Sequence, residues 1–361
     1  MIPVYKPQFE GNEKKYVSDC METGWISSKG KYVELFQNSF SEYLNIKCSE
    51  AVSNGTVALY LALEALGVSV GDEVIVPTFT YIASVNAIAN FGATPVFVDS
   101  DSKTWQLSPD DVLAKITDKT KAILVVHLYG HPCEMDTLIE IAKQSNIMLI
   151  EDCAEALGSE YRGRKVGTFG DIATFSFFGN KTITCGEGGM VATNNPELGN
   201  LINALKNQGV SNSRQYWHDI RGHNYRMTNI QAAIGLAQLE YIDKTLVKKR
   251  HLAEEYKLQL ADLPLVIHSE DGDVKHTYWM VSLLLDKATD RDKLMNYLST
   301  NGVETRPLFY PVHTMPPYQP SEVNAPVAVS LSGAGFNLPS YPGITQKEIE
   351  HVCSIVKQFY N

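Results

Sequence analysis

The chain has 361 residues, a length that favours two domains, and its 44% hydrophobic and 20% charged residues are the profile of a globular protein, not a disordered or fibrous one. A net charge of −10 with no cluster of basic residues argues against a nucleic-acid partner, and no apolar run of roughly 18 residues offers a membrane span. Six cysteines without CxxC spacing signal neither a disulfide framework nor a zinc site, and MIPVYKPQFEGNEKKY lacks the apolar stretch of a signal peptide, so the expected compartment is cytoplasmic.

Along the chain, SNGTVALYLALEALG sets Leu59, Ala62, Leu63 and Leu66 at helical spacing, with Ser53 or Asn54 as cap and Gly67 just past the end. EVIVP reads as a buried strand. TYIASVNAIANFG (helix), TPVFVD (strand), SPDDVLAKI (helix, capped by Ser108 with Pro109 in its first turn), KAILVV (strand), MDTLIEIAKQSN (helix) and IMLIED (strand) follow. Such alternation predicts an α/β fold with a mostly parallel sheet covered on both faces, and a ligand beyond the carboxyl ends of its strands. The pair His127 and His131 in HLYGH reads as a strand-end loop rather than a metal site. DIATFSF and GGMVAT are two more strands. PELGNLINALKNQG and the stretch TNIQAAIGLAQLEYIDKTLVKKRHLAEEYKLQL are helical, the latter as one connecting helix or a bent pair. A smaller α+β unit follows, with HTYWMVSLLL as a strand, DRDKLMNYLSTNG as a helix and a last helix opened by a Thr345–Glu348 capping box. The expected domains are residues 1–245 and 246–361, with the N-terminal segment a candidate to pack on the smaller one.

Between the strands DIATFSF and GGMVAT, Lys181 is the one cation from residue 166 to 205. A phosphate-clamping P-loop would need glycines where Phe175 and Asn180 stand. A plain loop lysine is the bland reading. Phe175, Phe177 and Phe178 nearby suggest a desolvated amine suited to attack an aldehyde, which points to pyridoxal 5′-phosphate. That cofactor needs a carboxylate for its pyridine nitrogen, and Asp152 ends the strand IMLIED, though an acidic residue there could simply cap a turn. Its phosphate needs helix-start amides and hydroxyls, which Gly55 and Thr56 offer, and its ring needs a platform, which Tyr81 offers. As a helix cap and a core tyrosine these are ordinary; together they fall at one edge of one sheet.

The segments NGTVAL, PTFTYIASVNAI, VHLYGHPCEMD, EDCAEALGS, GRKVGTFGDIATFSFFGNKTITCGEGG and GHNYRMTNIQAAIGLAQLE closely resemble sugar aminotransferases of the DegT/StrS type, over nearly the whole chain. The resemblance implies an aspartate-aminotransferase-like fold (type I). It makes Lys181 the lysine bonded to the cofactor and Asp152 the partner of the pyridine nitrogen. It places Glu155 near the ring hydroxyl, Tyr81 on the ring, and Gly55, Thr56 and Ser176 on the phosphate. Asn224 would reach that phosphate from a second subunit, making a homodimer with its active site at the interface. Relatives that dehydrate or deoxygenate sugars carry histidine at the lysine position; this chain does not. The resemblance further implies L-glutamate as amino donor and a GDP-linked keto sugar as acceptor, for O-antigen biosynthesis, with UDP- or dTDP-linked sugars and a non-catalytic cofactor-binding protein as alternatives. Trp25, Lys29, Arg306 and His313 are the candidate substrate contacts. Cys185 stands where the family pattern leads one to expect threonine, with little effect on the chemistry.

Overall fold

The computed structural model describes residues 1–211, 213–270, 272–319 and 322–361. Helices α1 (Glu13–Thr23) and α2 (Lys31–Leu44) precede strand β1 (Cys48–Val52). Then come α3 (Gly55–Ala65), β2 (Glu73–Pro77), α4 (Ile82–Asn90), β3 (Thr94–Val98), α5 (Pro109–Ala114), β4 (Thr120–Val126), α6 (Met135–Ser145) and β5 (Met148–Asp152). Two short strands, β6 (Glu160–Tyr161) and β7 (Arg164–Lys165), lead to β8 (Ile172–Ser176) and β9 (Gly189–Thr193). The main sheet has the order β1-β9-β8-β5-β4-β2-β3. The β3-β2-β4-β5-β8 run is parallel, and β9 is antiparallel to both of its neighbours. The C-terminal ends of β1, β2, β4, β5 and β8 therefore share one edge.

Strand periodicity divides the core. Val74, Val76, Ala122, Leu124, Ile150 and Val191 face one way and pack with Leu59, Leu63, Val85 and Ile88 of α3 and α4. Ile75, Ile123, Val125 and Leu149 face the other way, onto Val112, Leu138 and Ile141 of α5 and α6. Beside them Ala173, Phe175 and Met190 pack on Phe36 and Phe40 of α2. Neither α1 nor α2 is foreseen from the sequence; α2 buries Tyr32, Phe36, Phe40 and Leu44, an i, i+4 stripe.

After α7 (Pro196–Lys206), the long helical stretch is a bent pair, α8 (Asn229–Glu240) and α9 (Ile242–Leu260), broken at Tyr241. Residue 245 lies within α9, whose Ile242 and Leu246 join the core around Phe36, whereas Leu252, Tyr256 and Leu260 join a second one. That second core is covered by a four-stranded antiparallel sheet of β10 (Leu265–Ile267), β12 (Val281–Leu285), β13 (Arg306–Pro307) and β14 (Gly335–Leu338). Against it lie α10 (Arg291–Thr300) and α12 (Gln346–Tyr360), while α11 (Pro326–Ala334) contributes Ala328 and Leu331 to the large core. The Thr345–Glu348 capping box opens α12. Strand β11 (Val274–Lys275) pairs with β6. At the N-terminus Ile2 bridges Val303, and Ser340 N–H donates to the Val4 carbonyl.

HTYWMVSLLL is a strand only from Val281. Residues 277–279 instead pair with the loop after β4, through Thr277 N–H to Gly130 O (3.2 Å) and Trp279 N–H to Tyr129 O (3.0 Å). That exchange of partners carries Trp279 to the strand-end edge.

Candidate active site

The strand ends surround a cavity of about 630 Å³ lined by Gly55, Thr56, Tyr81, Asp152, Glu155, Ser176, Lys181 and Arg306 of the residues expected from sequence. Lys181 sits on the excursion between β8 and β9, largely buried, with Nζ 3.5 Å from Glu155 Oε1 and 4.1 Å from the centre of the Trp279 ring. The aromatic neighbour of the amine is thus Trp279. The Phe175 and Phe177 rings pack instead on Phe40 and Phe36, and Phe178 is half-exposed at the cavity.

Asp152, the last residue of β5, is buried, accepting from Ser84 Oγ (2.7 Å) and from Ala154 N–H (3.0 Å). Burial pushes its carboxyl up, opposed by those donors and by the Lys181 charge. Glu155 is buried too, and Tyr129 N–H donates to its Oε2 (2.8 Å). Desolvation pushes Glu155 up to about 7, against the Lys181 charge and the Tyr129 amide, with Asp152 adding repulsion. Tyr129 holds this amide in place from a left-handed backbone (φ 56°), a strained conformation for a bulky residue, and its hydroxyl accepts from Phe309 N–H (2.8 Å).

The start of α3 faces the same cavity. Asn54 caps it by accepting from Val57 N–H, leaving the amides of its first turn toward the opening. A Cβ on Gly55 would stand 2.7 Å from Ser176 Cβ, so only glycine lets the helix start approach β8 this closely. The residues present fit pyridoxal phosphate. The helix start beside Ser176 suits the phosphate, a buried carboxylate faces Lys181 across the cavity, and the buried Thr80 hydroxyl on the lining has no protein partner.

The other expected residues divide. His313 is buried, its Nδ1 2.6 Å from Thr78 Oγ1 and its ring beside Phe97, and it is not on the lining of this chain's cavity. The turn carrying it is folded over the end of β2 by Val312 N–H to Thr78 O (2.8 Å). Trp25 and Lys29 are exposed between α1 and α2, outside their own chain's cavity. Asn224 is exposed as well, its Oδ1 accepting from Arg226 Nε and Nη2 (3.1 and 2.9 Å). His127 is committed to Glu151 Oε2 (3.1 Å) and Cys133 N–H (3.0 Å), whereas His131 joins His268 and His276 in a buried cluster. Ser84, Tyr129 and Trp279 were not foreseen. Ser84 lies one helical turn after Tyr81 on α4, the register that could have revealed it; nothing local marks Trp279.

Fold and site together define a pyridoxal-phosphate-dependent aminotransferase of fold type I. The chain belongs to the DegT/DnrJ/EryC1/StrS aminotransferase family, which it matches over residues 7–357. It is 56% identical to the GDP-perosamine synthase of Escherichia coli O157:H7, covering 100% of this chain and 99% of that one. It is 50% identical to the GDP-perosamine synthase of Vibrio cholerae, covering 100% of both. Among solved structures, the putative sugar aminotransferase Spr1654 from Streptococcus pneumoniae in its PLP form superposes with a TM-score of 0.93 at 26% identity, covering 98% of this chain and 97% of that one.

Proposed function

We propose that this aminotransferase moves the amino group of L-glutamate to C4 of GDP-4-keto-6-deoxy-D-mannose, giving GDP-perosamine and 2-oxoglutarate. The observation that carries the reading is the 56% identity to a GDP-perosamine synthase across essentially the whole of both chains. Bound pyridoxal phosphate would supply the aldehyde that takes up the amino group and a ring that withdraws electrons. Lys181 would hold that aldehyde through its amine, and the same amine would move the substrate proton as general base and acid. Asp152, held by Ser84 and Ala154, would keep a proton on the pyridine nitrogen. Glu155, its carboxyl pushed up to about 7 by burial, sits 3.5 Å from Lys181, where it would exchange a proton with the groups around it. Gly55, Thr56 and Ser176, all on the cavity lining, would hold the phosphate, and Tyr81 would cover the ring. Arg306, on the cavity wall, meets the anionic sugar nucleotide.

The working form would be a homodimer in which Asn224, Trp25 and Lys29 serve the partner's cavity. Supporting this, the segments carrying them expose apolar surface a lone chain gains nothing by showing: Trp25 at 56%, Ile26 at 48%, Tyr216 at 89% and Trp217 at 49%. The product would feed O-antigen synthesis. The test is product analysis with a panel of GDP-, UDP- and dTDP-linked keto sugars. Amination of GDP-4-keto-6-deoxymannose in preference to the others is the expected result; amination of another sugar alone would overturn the substrate and leave the family intact. Among the described residues no helix is long and apolar enough to cross a membrane.

A further inference from the structure

Lys249, on α9, is fully buried, yet no carboxylate forms an ion pair with it among the described residues. Its Nζ donates to two carbonyls, Ser340 O at 2.6 Å and Trp279 O at 3.1 Å, and lies 5.5 Å from the centre of the Tyr5 ring. Burial lowers its amine to about 7. Either protonation state serves both carbonyls, because a neutral amine still carries two N–H groups. A buried lysine costs stability, and a polar group kept at such a cost is tied to what it holds.

What Lys249 holds leads to the active site. Trp279 is fixed at three points: its carbonyl by Lys249, its N–H by Tyr129 O and its indole N–H by Asn180 O (2.6 Å). Asn180 directly precedes Lys181, and the Trp279 ring face lies 4.1 Å from Lys181 Nζ. From the N-terminal segment, Tyr5 OH donates to the Lys181 carbonyl (2.6 Å). The bonds of Lys249 join the segments of Trp279 and Ser340 to α9, the helix that continues from the large core into the small one, beside Arg250 to His276 O (2.8 Å), Lys257 to Tyr278 Oη (2.7 Å) and Tyr256 Oη to Pro339 O (3.1 Å); of these, Lys249 alone bonds Trp279 itself.

We infer that Lys249 is a positioning residue for the amino-transfer reaction, holding the Trp279 ring over the Lys181 amine by binding the Trp279 and Ser340 carbonyls. The inference rests on the reading of Lys181 as the lysine that bonds the cofactor. A ring face over the nitrogen favours its cationic form. Losing that alignment makes the protonated nitrogen less favourable and slows the step in which Lys181 carries a proton.

The test is a pH titration of the visible absorption band of the lysine-bound cofactor in the holoenzyme, with steady-state kinetics on glutamate. In Lys249→Met the midpoint should fall by about 0.5–1 pH unit, the size expected from a weakened cation–ring contact. The kcat should fall about tenfold with the glutamate KM nearly unchanged, as for an interaction felt in the transition state. Trp279→Phe should shift the midpoint in the same direction, and the double variant should shift it no further than the larger single change. Lys249→Gln, which keeps an amide donor, should lie between Met and the native protein, and it carries the test if the Met variant does not fold. A native midpoint and native kcat in a folded Lys249→Met or Lys249→Gln protein would overturn the inference, as would additive shifts in the double variant. If instead Lys181→Ala still shows the lysine-bound band, the reading of Lys181 fails first, and the inference with it.

Discussion

At the scale of single residues, the site is a balance among one amine and two buried carboxylates. Lys181→Ala should lower amino transfer by about 10²–10⁴-fold or more while the far-UV circular dichroism stays native, since the side chain contributes chemistry rather than core. Glu155 gives a sharper expectation. Its carboxyl rises from an ordinary 4.5 to about 7, so in the cofactor-free protein the folded state holds more protons than the unfolded state between those values. Its contribution to stability therefore falls as pH rises from about 4.5 to about 7. Glu155→Gln, which keeps an acceptor for Tyr129 N–H, should flatten that part of the curve of unfolding midpoint against pH. An unchanged slope would mean that another group titrates there.

At the scale of elements, the proposed phosphate site depends on how closely the start of α3 approaches β8. Asn54→Ala removes the cap on Val57 N–H and should cost about 1 kcal/mol of stability by denaturant titration. Gly55→Ala puts a methyl 2.7 Å from Ser176 Cβ, pushing the helix start away from the strand. Its expected signature is a cofactor dissociation constant raised at least tenfold, read by equilibrium dialysis, with a smaller change in unfolding midpoint. Most elements of the main sheet and its helices were legible because short apolar runs such as EVIVP and helical spacings such as that of SNGTVALYLALEALG are local properties. HTYWM reads as strand because Thr, Tyr and Trp favour strands, while its hydrogen bonds go to the Tyr129–Gly130 loop, a partner far away in sequence.

At the scale of the molecule, two junctions matter. Where the small unit meets the large one, His276 Nε2 lies 3.3 Å from His268 Nδ1, and His268 Nε2 donates to Thr104 O (2.9 Å). The His268 ring also stacks on Trp105 at 4.0 Å. Burial holds both histidines well below their ordinary 6.5, so below that pH the unfolded chain takes up more protons than the folded one. Stability should fall as pH drops through about 6.5, and His276→Phe should reduce that acid sensitivity in thermal melts. The second junction is the proposed one between subunits. Lys181→Ala and Asn224→Ala proteins, each weakly active, should regain activity when mixed under conditions of subunit exchange, because one site in the hybrid keeps both residues. No recovery despite exchange would place Asn224 in its own chain's chemistry.

By itself the sequence determined most of the strand–helix order, the edge at which the cavity lies, and the placing there of Lys181, Asp152, Tyr81, Gly55 and Thr56, because each is fixed by its position next to a strand end or helix start. Tertiary structure alone decided that Trp279 rather than Phe175 or Phe177 faces the amine, that Ser84 and Tyr129 hold the two carboxylates, that His313 turns away onto Thr78, and that Lys249 lies beneath them. These are contacts between segments distant in the chain, and side-chain direction across such distances depends on packing, which no local pattern of residues encodes.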